Sequence, residues 1–422
     1  QNETAQFNDE QAMFSPEQIN RHIHDVINAK GLFEWKDASD EMIWSALKHS
    51  DRIISVGYKP FSEINVDKRL AEINIHDAAW LDAKQQVLSI IYNEEKQHNK
   101  LLNIAEIELW PQDKIPVINV KVSSLKAIKI LRSSRFVRYA EPTAYDPVAY
   151  EKNNEVESGG GSGCGGYTGD NSLQNNKDYT IITPNAKASW NHQYMGIAGA
   201  WTKSSGSGVK LMVIDTGTSP GQENLGSSFN QGLSIARTIE RIATLPGSGA
   251  DDDCGHGTAM CGAAAAPRGT DGKAAGVAYN CNLVACRAAY DVYLDASEET
   301  VGVSNAFTYA GDDASVKIIS MSMGRILTSS QIQDAIRYAY GKGKLIFCAG
   351  GTSFSWTAGW FGVTFPGNMS EVQGITGIMD GEKQKACEDC HKGKEIDFVI
   401  VMEKKKNGLH ALTTAISGDV PA

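Results

Sequence analysis

The sequence has no excess of basic charge, no long apolar run, no internal repeat and no leader at its start, and each absence narrows what the chain does. Forty Lys and Arg against 50 Asp and Glu give a net charge of −10. That leaves no positive field for nucleic acid, so no nucleic-acid partner is expected. No stretch approaches the roughly 18 consecutive apolar residues of a spanning helix, so no membrane span is expected. The start, QNETAQFNDE, lacks both the basic and the apolar region of a secretory leader. Either the protein is cytosolic or a leader has been removed. Without a self-similar period, a solenoid is excluded.

What is present is enough chain, 422 residues at 41% hydrophobic, for two or three domains and a large core. Eight cysteines, an even count, favour an oxidising compartment. Residues 1–150 read as a helix-rich α/β unit. Ser15, Pro16 and Gln18 supply an N-cap, a first-turn proline and a capping box, and Ile19, Ile23, Val26 and Ile27 share one helical face until Gly31. Further on, 115–122, 123–134 and 136–142 form a strand, helix, strand unit that implies a parallel pairing of its two strands. Residues 151–183 are rich in glycine, serine and asparagine, cannot offset their ordering entropy, and read as an exposed linker. From 184 to 422 short apolar strands alternate with helices: KLMVIDTG, NLVACRAA, VKIISMSMG, KLIFCAGG and VQGITGIMD are the strand candidates. This pattern predicts an α/β fold with a doubly wound, mostly parallel sheet whose functional groups gather at the carboxyl ends of the strands.

Two residues at such positions carry chemistry. Asp215 ends the strand in KLMVIDTG, and His256 opens a small-residue helix between Gly255 and Gly257. A carboxylate that orients an imidazole, which deprotonates a nucleophile, is the logic of serine-protease catalysis. A lone histidine is by default a buried structural one. Flanking glycines suit instead a ring that faces an open cleft with a substrate backbone passing close by.

The ordered motifs VIDTG, GHGTAMCGAAAA, GVAYNCNLVACR, IISMSMG and LIFCAGG resemble the subtilisin-like serine proteases over roughly 184–422. The resemblance implies that Asp215 is the orienting acid and His256 the general base. It implies a substrate groove lined by Ser322, Met323, Gly324, Cys348, Ala349 and Gly350, where peptide backbone pairs with exposed strand edges. Residues 115–142 resemble the last part of a subtilase propeptide, a smaller α/β domain that acts as an intramolecular inhibitor. The residues before about Asp77 have no counterpart in it, and DRIISVGYKP is either a propeptide strand or a separate contact. The reading that results is a secreted, periplasmic or cell-surface endopeptidase in zymogen form, acting on polypeptide, with the linker as its maturation site.

The pattern breaks twice. No glycine-threonine-serine motif follows KEIDFVIVMEKKKNG, so the nucleophile is expected beyond Ala422, and Ser417, with no small-residue helix after it, is a poor substitute. A catalytically inactive peptide-binding protein on the same fold is the alternative. Gly351 stands where the resemblance implies an asparagine that donates to the oxyanion. Restoring that asparagine is expected to raise turnover, unless Thr352, Ser353 or a water fills the role. CEDCH, 387–391, spells a c-type haem site, but a loop or local disulfide is the expected meaning. Cys281 and Cys286 lie about 16 Å apart along a strand and on opposite faces, and do not bridge. No metal or cofactor is expected, although Asp251, Asp252 and Asp253 have the chemistry for calcium; a solvated acidic loop is the commoner meaning.

Overall fold

The computed structural model describes residues 11–147, 163–165, 167–352, 362–381 and 385–421. Much of the glycine-rich linker, and Ser353, lie outside the described residues. The chain divides into two compact units. One comprises 1–158 with the later segments 295–304 and 327–341; the other comprises 159–294, 305–326 and 342–422.

The first unit is built on a four-stranded antiparallel sheet in the order Glu108–Leu109, Val117–Lys121, Ile53–Tyr58, Val137–Pro142. The expected parallel pairing of 115–122 with 136–142 is absent, because Ile53–Tyr58 lies between Val117–Lys121 and Val137–Pro142 and pairs antiparallel with both. All six of its residues are buried, and a strand apolar on both faces belongs in the middle of a sheet. DRIISVGYKP is therefore the central strand of this unit. Pro16–Lys30 starts as expected, with the Ser15–Gln18 capping box formed and Gly31 closing it at φ 86°.

The helix Ser330–Gly341 belongs to this first unit although it comes late in the chain. Gln331 Oε1 accepts from Ser55 Oγ at 2.9 Å and Asn119 Nδ2 at 2.7 Å. Glu141 accepts from the backbone N–H and hydroxyl of Ser330 at 2.6 and 2.8 Å, a carboxylate at a helix start. Arg138 donates through both terminal nitrogens to Asp334 at 2.6 and 2.9 Å.

In the second unit seven strands pair in parallel, in the order Ile396–Glu403, Gln373–Met379, Leu345–Ala349, Val316–Met321, Lys210–Asp215, Asn282–Arg287, Ile239–Ala243. From the interior strand Lys210–Asp215 the chain first fills one side of the sheet and then the other. The switch in direction therefore lies between Lys210–Asp215 and Val316–Met321, which opens a crevice at their carboxyl ends. Leu211, Val213, Leu283 and Ala285 pack with Cys261 and Ala265 of the helix His256–Ala265, which seats that helix on the sheet.

Candidate active site

Asp215 is the last residue of its strand and 1% exposed. His256 is the first residue of its helix. Its Nδ1 lies 2.7 Å from Asp215 Oδ1, and since a carboxylate only accepts, Nδ1 carries the proton and Nε2 is the basic nitrogen. The same Oδ1 accepts from the Thr216 N–H at 2.8 Å. Two elements distant in sequence thus meet at one oxygen.

The glycines beside the histidine serve this approach, not the passage of a substrate. A Cβ on Gly257 would lie 2.3 Å from the Gly217 carbonyl oxygen, so any side chain there pushes the helix off the turn that follows Asp215. Gly255 has φ +95° and faces Tyr167, whose Cβ would sit 2.8 Å and whose ring Cδ2 would sit 3.0 Å from an added Cβ. Tyr167 meets the His256 ring edge-to-face, with 5.9 Å between centroids. A disulfide, Cys164–Cys254, ties the start of this unit to the residue two before His256.

Burial opposes a charged imidazole, but the charge of Asp215, its hydrogen bond and the charge of Asp252 outweigh it and hold the His256 pKa above its ordinary 6.5. The acidic run before the helix is not one solvated loop. Asp251 pairs with Arg241 at 2.8 Å and Asp253 with Arg287 at 2.8 Å, while Asp252 is 7% exposed. The three carboxylates engage different partners and do not converge as calcium ligands. Among the described residues no group of three or more His, Cys, Asp or Glu is placed to hold a metal.

The groove residues are placed differently from the expectation. Ser322, Met323 and Gly324 follow Val316–Met321, but their edge is not free: Gly324 N–H donates to Val292 O at 3.1 Å and its carbonyl accepts from Leu294 N–H at 3.0 Å. Met323 is 2% exposed. Cys348 is fully buried within the sheet and so lines no groove, and its neighbour Ala349 ends the same strand. Gly350 donates to Ile375 O at 2.7 Å and accepts from Thr364 N–H at 2.9 Å.

Gly351 has φ +106°, and a Cβ there would lie 2.7 Å from Thr364 Oγ1 and 2.9 Å from His391 Nδ1. This geometry bears directly on the asparagine that the resemblance implies at this position. Gly351→Asn will strain the backbone and crowd two side chains, lowering stability by about 1–3 kcal/mol without raising turnover. Thermal unfolding beside a peptide-hydrolysis assay checks this; a stable, faster variant overturns it. Thr352 is exposed and bridges to Cys390.

Cys387 and Cys390 form a local disulfide, and His391 Nδ1 bonds to the Gly362 carbonyl at 2.9 Å, which leaves CEDCH no free thiols for haem. Cys281 and Cys286 are unpaired and buried. Ser417 is exposed between the two strands of the hairpin Leu412–Thr414 and Asp419–Pro421, so a strand follows it and no helix presents it. Sequence reasoning missed Asp252, Tyr167, Thr364 and the segment 292–294. Only Asp252 carried a signal, an acidic residue just ahead of a helix start.

A parallel seven-stranded sheet with Asp215 and His256 joined at its switch point defines an α/β protein of the subtilisin-like class. Residues 206–399 match the subtilase family. Over 154 residues the chain is 31% identical to thermitase of Thermoactinomyces vulgaris, covering 36% of this chain and 51% of thermitase. It is 32% identical over 154 residues to a subtilisin of Bacillus sp. (strain TA39), covering 36% of this chain and 35% of that protein. The matches thus span about half the length of the first relative and a third of the second. Among solved structures, sphericase is similar at 23% identity and a TM-score of 0.40, over 51% of this chain and 72% of that one.

Proposed function

We propose that the chain is part of a secreted serine endopeptidase in precursor form, with 1–150 as its propeptide and intramolecular inhibitor, 151–183 as the linker cut on maturation, and 184–422 as catalytic domain. The observation that carries the reading is the 2.7 Å bond from His256 Nδ1 to the buried Asp215. With Nδ1 engaged, Nε2 takes the proton of a serine hydroxyl as it attacks the peptide carbonyl, then gives it to the leaving amine; Asp215 holds the tautomer and stabilises the imidazolium between the two steps. Polypeptide is the substrate, and it reaches the Ser322–Gly324 edge by exchanging places with Val292–Leu294. The disulfides Cys164–Cys254 and Cys387–Cys390 suit an oxidising compartment.

Because the base must be neutral, kcat/KM will rise with pH through the raised His256 pKa, and the midpoint of its acid limb will lie above 6.5. A midpoint at or below that value contradicts the environment described for the ring. The reading itself is tested with the natural full-length protein, assayed on a denatured polypeptide and treated with a serine-directed fluorophosphonate. Hydrolysis that the reagent abolishes is expected. Neither hydrolysis nor labelling, after removal of the N-terminal region, would sink it.

A further inference from the structure

We propose that Asp252 is a positioning residue that sets His256 against Asp215 by bonding both the turn after the strand and the start of the helix. The two members of the pair come from separate elements, and a 2.7 Å contact between separate elements needs something that fixes one to the other. Asp252 is buried and accepts from five donors. Its Oδ1 takes the Thr216 hydroxyl at 2.8 Å, the Cys254 N–H at 3.0 Å and the Gly255 N–H at 2.8 Å. Its Oδ2 takes the Thr258 N–H at 2.8 Å and the Thr258 hydroxyl at 2.6 Å.

The Thr216 hydroxyl accepts in turn from the Gly257 N–H at 2.9 Å. A closed ring of bonds therefore runs from Thr216 to Asp252, to the first turn of the helix, and back to Thr216. Thr216 is the covalent neighbour of Asp215, and Gly255, Gly257 and Thr258 surround His256 in sequence. The Thr258 hydroxyl also accepts from the Ser219 N–H at 2.8 Å, a second tie between the same helix start and the same loop.

Every partner of this carboxylate is a donor, the arrangement that suits a group with acceptors only. The charge sits at a helix N-terminus, where the backbone dipoles favour it. An ordinary helix cap would need only the bonds to Gly255 and Thr258. The bond to Thr216 has no capping use, and it is the one that reaches the strand carrying Asp215.

The inference takes Asp215 and His256 as the working pair of the proposed peptidase, but the pair itself is what the experiment reads. The full chain, ¹⁵N-labelled at histidine, is followed by NMR for the His256 Nδ1 proton and for the titration of the ring. The titratable groups around that ring are Asp215, Asp252, Tyr167 and, on its own helix, Cys261. Three variants separate the roles. Asp252→Asn removes the charge and turns an amide NH₂ toward the donors. Thr216→Val keeps the shape and the Asp252 charge and removes the hydroxyl's bonds to Asp252 at 2.8 Å, from the Gly257 N–H at 2.9 Å and to Asp215 Oδ1 at 3.4 Å. Thr258→Val removes one hydroxyl and leaves the Thr216 link intact.

In Asp252→Asn and Thr216→Val the Nδ1 proton will exchange with water about ten- to a hundredfold faster, the factor carried by a lost hydrogen bond to a charged group. Thr258→Val will stay within a few-fold of the parent. The His256 pKa will fall in Asp252→Asn more than in Thr216→Val, because only the first loses a charge. Folded variants with the parent's exchange rate and titration would overturn the proposal. Should Asp252→Asn fail to fold, Thr216→Val decides by the same readout. If the parent itself shows no protected Nδ1 proton, what fails is the Asp215–His256 pairing, and the variants will be equal.

Discussion

Replacing His256 with alanine in the intact protein lowers kcat for peptide hydrolysis by about 10⁶-fold while KM changes little. In the proposed mechanism the imidazole works only as the serine proton leaves, so its loss removes an interaction of the transition state and not of the bound substrate. Asp215→Asn falls less, by about 10⁴-fold. The geometry gives the reason: one oxygen, Oδ1, already accepts from both Thr216 and His256, while Oδ2 is buried without a partner among the described residues. An asparagine that seats its carbonyl oxygen at Oδ1 leaves its NH₂ buried without an acceptor at the other position, and a flipped one meets His256 Nδ1 with a donor; either way the stabilising charge is lost, and in the second the tautomer with it. Steady-state kinetics on one peptide measure both variants. A His256→Ala protein that keeps more than about a hundredth of the parent rate would remove this residue as the base.

Arg138→Ala will destabilise the first unit by about 3–5 kcal/mol, the cost of stranding a buried carboxylate. Asp334 has a side chain 1% exposed and that of Arg138 is 9% exposed. Asp334 also accepts from the Tyr139 hydroxyl at 3.0 Å. Without the guanidinium that single phenol faces a full charge. Arg138 further meets Asp67, a partner at 59% exposure whose loss costs little by comparison. Urea unfolding followed through the tryptophans of the first unit measures the shift; a change under about 1 kcal/mol would mean the pair is solvated in practice. The double variant Arg138→Ala with Asp334→Ala should recover part of the loss, since it leaves no orphan charge.

What the sequence discloses here follows the range of the forces involved. Periodicity and caps act over a few residues, so the Pro16–Lys30 helix and the five strand candidates of the second unit lie where their patterns put them. The meeting of Asp215 and His256 was legible because two motifs with separate chemistry stood at the ends of such elements. Pairing between distant segments was not. Nothing local in IISVGY says that it enters between the strands 117–121 and 137–142, and the split of that unit appears only when each strand's backbone bonds are assigned. Asp252 was misread for the same reason. Three aspartates in a row look alike in sequence, yet the middle one alone turns inward to a hydroxyl 36 residues away. The space around Gly351 was not legible because it turns on a dihedral angle, which no residue letter carries except as permission.

The helix Ser330–Gly341, seated in the first unit, has a consequence for the proposed maturation. All eight cysteines lie at or after position 164, so a cut before Cys164 leaves no cysteine on the N-terminal side, whereas a cut after it leaves that fragment held by the Cys164–Cys254 disulfide. After a cut before Cys164 the Arg138–Asp334 pair, the Glu141 bonds to Ser330 and the Gln331 bonds to Ser55 and Asn119 change from contacts within one polypeptide to contacts between two. The first unit becomes a complex, and its persistence becomes a matter of mass action: while the chain is continuous the tether supplies an effective concentration in the millimolar range. Once the chain is cut there, only the dissociation constant and the dilution of the sample decide how long the N-terminal fragment stays bound.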